Sequence, residues 1–105
     1  MPRAPIRIVQ SHAYRRWFEG LRDRRARDRI LVGVRRLSLG QFGNSKPLAG
    51  GLHELRVDQG PGYRVYFTVS GRSLLLAWGG DKSRQKADIA RARAIAALWE
   101  PEHGN

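Results

Sequence analysis

Hydrophobic residues change their spacing several times along the chain, and each change marks an element. Residues 3–9 alternate loosely through Ile6, Ile8 and Val9, which predicts a short strand ended by Gln10-Ser11. Ser11 stands where a helix cap is needed, and Tyr14, Trp17, Phe18 and Leu21 follow at i, i+3, i+4 and i+7, one stripe of a helix. Asp23 is placed to cap a second helix whose stripe is Ala26, Ile30, Gly33, Val34 and Leu37, ending near Leu39-Gly40. The short join predicts a helical hairpin. Residues 41–51, with three glycines and Lys46-Pro47, read as a loop.

Beyond that loop the period drops to two. Residues 52–57 alternate, Gly60-Pro61-Gly62 turns, residues 63–69 alternate again, and Gly71-Arg72 turns into the continuously apolar run 74–78. Three antiparallel strands in a meander are predicted, the last buried on both sides and central in the sheet. Gly79 to Ser83 should break that strand, and a third helix should run from about Arg84 to Trp99, docking through Ile89, Ala92, Ile95, Ala96 and Trp99, before Pro101 stops it. The expected fold class is α+β in the order β-α-α-β-β-β-α: a small, antiparallel-rich sheet, a helical hairpin on one face and a C-terminal helix. With 105 residues and 41% hydrophobic content, one domain spanning 1–105 has to carry every function.

Charge narrows the partners. Lys and Arg number 20 against 9 Asp and Glu, a formal net charge of +11, which points to nucleic acid, an anionic membrane surface or an acidic protein. Only Lys46, Lys82 and Lys86 are lysines, and arginine is the better residue for bidentate phosphate contacts and base stacking. The stretch from Arg15 to Arg36 holds nine arginines, among them Arg24, Arg25 and Arg27, serving either as a solvated helix surface or as an attraction for RNA. The absence of Cys suits a reducing compartment, and no apolar run resembles a signal peptide or a membrane span, so a cytoplasmic address without membrane attachment is expected.

Strand alternation sorts the sheet residues. Tyr63, Val65, Phe67 and Val69 share the core face with Leu55 and Val57, whereas Glu54, Arg56, Arg64, Tyr66 and Thr68 fall on the other, charged face. Glu54, Arg56, Arg64 and Tyr66 can converge there, with Lys82 reaching the edge. A carboxylate, two guanidiniums, a phenol and an ammonium suit metal-independent RNA cleavage by ribose 2′-OH attack, and equally suit cross-strand ion pairs without chemistry. Arg64, read as an exposed sheet residue, should contribute little to stability. His12, His53 and His103 are too scattered for a metal site, and alternation points His53, the one histidine near the patch, away from Glu54. The Walker spacing is absent around Gly79 to Ser83, so neither a nucleotide nor another small-molecule cofactor is expected.

The segments Trp17 to Asp23, Lys46-Pro47-Leu48, Leu52 to Arg56, Gly60 to Phe67, and Gly79 to Ser83 followed by Asp88-Ile89 together resemble the RelE/ParE superfamily of bacterial toxins. The resemblance is to its HigB-like, phage-derived addiction module killer branch. It implies the same β-α-α-β-β-β-α fold and a toxin held by a cognate antitoxin, expected to carry a helix-turn-helix and to share its operon. RelE-like members cut mRNA in the ribosome, so ribosome and mRNA become expected partners; ParE-like members instead poison DNA gyrase. Carried over, Arg64 matches the phosphate-stabilising arginine, Arg56 a basic residue on the preceding strand, and Lys82 a basic residue after the last strand. Glu54 stands where RelE has a lysine and is the candidate base; Asp88 occupies the final helix where several nucleases place Tyr or His. Lys46, His53, Tyr66, Arg24, Arg25 and Arg27 complete the expected nucleic-acid-binding set. A toxin cleaving mRNA on the ribosome is the leading expectation, with a gyrase-directed toxin or a non-catalytic basic RNA-binding module as alternatives.

Overall fold

The computed structural model describes residues 5–101, so the first two positions of the expected first strand lie outside the described residues. Ser11 ends β1 (Arg7–Gln10) and starts α1 (His12–Glu19), its hydroxyl accepting from the Tyr14 amide at 2.9 Å. Asp23 caps α2 (Arg24–Ser38) in the same way, accepting from the Ala26 amide at 3.2 Å. The chain continues through β2 (Ser45–Pro47), β3 (Leu52–Val57), β4 (Tyr63–Ser70), β5 (Ser73–Asp81) and α3 (Gln85–Leu98), with 3-10 turns at Ala49–Gly51 and Lys82–Arg84. The order is the expected α+β arrangement with one correction. Within the predicted loop, Ser45, Lys46 and Pro47 pair with Leu55, Glu54 and His53, making β2 an edge strand.

The sheet runs β1-β5-β4-β3-β2. The apolar run of β5 is therefore interior, parallel to β1 and antiparallel to β4. On one face α1 and α2 close a core of Tyr14, Ala26, Ile30, Leu37, Leu55, Val57, Tyr63, Val65, Phe67, Leu74 and Leu76. The other face departs from expectation. Rather than an open charged surface, it is covered by α3 over a second core of Leu52, Tyr66, Leu75, Ala77 and Ala92, packed with Ile89, Ile95, Ala96 and Trp99. Periodicity identified the apolar arc of α3, but the arc had to be buried somewhere, and the polar row of β3 and β4 lies beneath it.

A second correction concerns β5, which runs through Gly79 and Gly80 to Asp81 instead of breaking there. Tyr66 pairs with Trp78 and Phe67 with Leu76, so Ala77 is an extra residue, a bulge. Its carbonyl accepts from the Ser11 hydroxyl at 2.6 Å, tying the bulge to the start of α1. The bulge resets alternation and turns Trp78 toward α3. The glycines are then needed for space: a Cβ on Gly79 would lie 2.2 Å from the Trp17 ring, and one on Gly80 would lie 2.0 Å from Asp88 Oδ2.

Candidate functional site

Register assembles the polar residues in rows. Lys46, Glu54, Tyr66 and Trp78 align across β2 to β5, and Arg56 stands opposite Arg64 in the next row. The first turns of α3 lay Gln85 and Asp88 over them. Glu54 is 1% exposed. Its Oε1 accepts from Gln85 Nε2 at 2.7 Å and lies 3.8 Å from Arg64 Nε, while Oε2 lies 3.7 Å from Lys46 Nζ. Moving a carboxylate out of water costs several kcal/mol, which these partners offset. Glu54 is thus a sequestered counter-ion rather than the exposed base expected on an open patch.

Arg64 corrects its expectation too: the side chain is only 11% exposed. Its Nη1 donates to the Tyr63 carbonyl at 3.1 Å, and its Nε makes no hydrogen bond, the distance to Glu54 being too long for one. Tyr66 is fully buried and its hydroxyl is likewise unpartnered. Burial foremost, then the negative charges of Glu54 and Asp88, push its phenol up to about 12. It stays neutral near pH 7, and burial keeps it from contacting nucleic acid directly. Asp88 is 7% exposed and accepts from Trp78 Nε1 at 3.0 Å, while the Arg91 guanidinium stands 5.2 Å above the Trp78 ring.

The cluster continues to the Gly62 end of the sheet. The Lys82 amide donates to the Gly62 carbonyl at 3.0 Å. A Cβ on Gly62, whose φ is +84°, would lie 3.4 Å from the Lys82 stem and 3.8 Å from Arg64 Nη1, so the two cations flank one glycine. Asp81 fixes this turn by accepting from the Ser83 amide at 2.9 Å and from the Ser83 hydroxyl; these bonds hold its carboxyl below the usual range. Arg56 is exposed directly opposite Arg64. Like charges in this position disfavour the sheet, and an anion between them relieves the repulsion. Arg56 and the stem of Lys82 are therefore neighbours of Arg64 at the Gly62 end of β3 and β4, and Glu54 lies behind Arg64.

Other expected binding residues fall elsewhere. The His53 ring stacks on Phe67, centroids 5.1 Å apart at 13°, and meets Phe42 edge-on, which places it on the hairpin face, away from Glu54. Arg24, Arg25 and Arg27 lie on α2, across the sheet from Glu54 and Tyr66; Arg24 and Arg27 border a hollow of about 390 Å³ with Phe18, Asp28 and Leu31. A larger groove of about 590 Å³ runs between Arg29, Val32, Gly33 and Arg36 of α2 and the strands β2 and β3, and two expected site residues, Lys46 and Arg56, line it. Sequence reasoning missed that groove and Gln85; their only signals were the stripe at 29, 32, 33 and 36 and a polar residue opening the last helix. Among the described residues, no three His, Asp or Glu side chains gather as a metal ion requires, and no helix is long and apolar enough to cross a membrane.

No family model matches the chain, and no solved structure matches it. It is 39% identical over 92 residues to an uncharacterized protein of Haemophilus influenzae strain Rd, covering 87% of this chain and 93% of the relative. The chain belongs to the same family as that protein.

Proposed function

We propose that this protein is a toxin of the RelE-like kind that cuts mRNA on the ribosome, paired with a cognate antitoxin. The observation that supports the reading best is the grouping of three basic residues, Arg56 opposite Arg64 across β3 and β4 and the Lys82 stem beside Arg64 at Gly62, with Glu54 behind Arg64. A group of basic residues on adjoining strands fits a phosphodiester and the extra charge it gains as the 2′-oxygen attacks. Arg64 stabilises the phosphorane, Arg56 and Lys82 hold the strand on either side, and Glu54 sets the Arg64 fork through charge. The net charge of +11 supplies long-range attraction to RNA.

Burial of Glu54 and Tyr66 under α3 favours a second reading. With neither group open to a substrate, a gyrase-directed toxin or a non-catalytic basic RNA-binding module needs no proton-transfer residue. Brief induction followed by primer extension on a reporter mRNA separates them: cuts within translated regions are expected, whereas intact transcripts with a DNA-damage response overturn the cleavage reading. Arg56→Ala, an exposed change, should lower cleavage on the order of 10²-fold with an unchanged thermal midpoint. Arg64→Ala should abolish cleavage but also destabilise the fold, because it removes a cation from the buried Glu54, so Arg64→Lys is the cleaner variant.

A further inference from the structure

The two edges of the sheet differ in what they offer another chain. At the β2 edge, the bonds Arg56 N–H to Asn44 O and Leu48 N–H to Leu52 O turn positions 44, 46 and 48 toward β3, leaving 45 and 47 facing out. The Ser45 amide already donates to the Phe42 carbonyl at 3.0 Å, and Pro47 has no N–H. That edge presents carbonyls only, so an incoming strand finds no donors and cannot build a ladder.

Past Ile6, whose amide donates to the Ser38 carbonyl at 2.7 Å, the β1 edge is open. Arg7 N–H donates to Arg72 O at 2.7 Å and Ser11 N–H to Leu76 O at 3.0 Å, so positions 7, 9 and 11 bond to β5. In a parallel pair the alternate residues then point away, and Ile8 and Gln10 direct both N–H and C=O outward. Among the described residues no backbone group answers them. Gln10 is exposed, and no proline blocks the strand. Donors and acceptors alternate at ladder spacing, which suits a polypeptide and not a phosphate backbone, because outward carbonyls repel phosphate. The net charge of +11 repels a second copy of this chain and draws an acidic chain.

We infer that the outer edge of β1 takes an extended acidic segment of another polypeptide as a sixth strand, its backbone bonding to Ile8 and Gln10 and its carboxylates drawn by the net positive charge of the chain. The inference stands apart from the toxin reading. The full chain is titrated with a short blocked peptide of alternating Glu and Val, while hydrogen exchange is followed at single amides. Binding with new protection of the Ile8 and Gln10 amides is expected. Gln10→Pro, which deletes one outward donor without touching the core, should weaken binding about tenfold, and Gln10→Ala should leave it unchanged. A peptide alternating Glu and Pro, equal in charge but unable to form a ladder, should not bind.

Absence of binding by the Glu-Val peptide overturns the inference, as does binding without protection of those two amides. Equal binding of the Glu-Pro peptide reduces it to charge attraction and also overturns it. Protection of Ile8 and Gln10 that appears with rising protein concentration alone assigns the edge to a second copy instead, and protection by an RNA oligonucleotide assigns it to nucleic acid. If Gln10→Pro fails to fold, the amide protection in the unmodified chain still decides.

Discussion

Among the described residues, the sheet face under α1 and α2 buries eleven apolar side chains in one cluster, while the face under α3 buries five together with Glu54 and Asp88. The first is held by apolar contact, which is non-directional and leaves few polar atoms to satisfy. The second depends on matched partners: Gln85 for Glu54, Trp78 for Asp88, Arg64 and Lys46 for charge. Matching is incomplete, since Arg64 Nε and the Tyr66 hydroxyl make no hydrogen bond. Stability therefore resides chiefly on the hairpin face, and the polar cluster lies on the α3 face, where unsatisfied polar groups gather.

The largest test of that contrast is Phe67→Ala. Phe67 is fully buried on the hairpin face between Phe42 and His53, and its loss should cost about 3–5 kcal/mol, read by denaturant unfolding. A cost below that of Leu75→Ala on the α3 face would reverse the assignment of stability. Next come the paired glycines. Gly79→Ala drives a methyl into the rigid Trp17 ring on the hairpin side and should cost about 1–3 kcal/mol. Gly80→Ala meets only the Asp88 carboxylate, which can swing away, so it should cost less than Gly79→Ala while breaking the Trp78 bond and shifting tryptophan fluorescence.

Tyr66→Phe should have the smallest effect and the opposite sign. Removing a buried hydroxyl that has no partner should leave stability unchanged or raise it by up to about 1 kcal/mol near pH 7. The pH dependence follows from the raised phenol. Tyr66 titrates at about 12 in the folded chain against 10.0 ordinarily, so the neutral form is favoured by folding; its contribution is complete below about pH 10 and is lost as pH rises toward about 12. Tyr14, also raised by burial, adds to the same alkaline loss. Between those pH values the thermal midpoint should fall more steeply in the unmodified chain than in Tyr66→Phe, so the two diverge; parallel declines would mean that the phenol titrates freely.

Much of this was legible in residue spacing, and the rest was not. Helix caps depend on a side chain and an amide only three residues away, so Ser11 and Asp23 were identifiable directly. Strand alternation correctly separated Leu55 and Phe67 from Glu54 and Arg64, because a pleat has period two wherever it occurs. It could not reveal what covers each face. Glu54, Arg64 and Tyr66 were assigned to an open surface, since nothing local to β3 and β4 indicates that α3, more than twenty residues away from Glu54, folds back over them.

The order of elements, the two capped helices, the apolar arc of α3 and the basic character of the chain were set by the sequence alone, since propensity, periodicity and charge are local or additive properties. Three matters were decided only by tertiary structure. The Ala77 bulge, tied to the Ser11 hydroxyl, turns Trp78 to the α3 side and makes Gly79 and Gly80 contact points rather than a break. Gln85 closes over Glu54, and the outward amides of Ile8 and Gln10 are left open because β1 pairs with β5 across more than sixty residues. Each rests on contacts between distant segments, and such contacts leave no periodic trace in either partner, because the space and the hydrogen-bonding groups that define them exist only after the sheet has assembled.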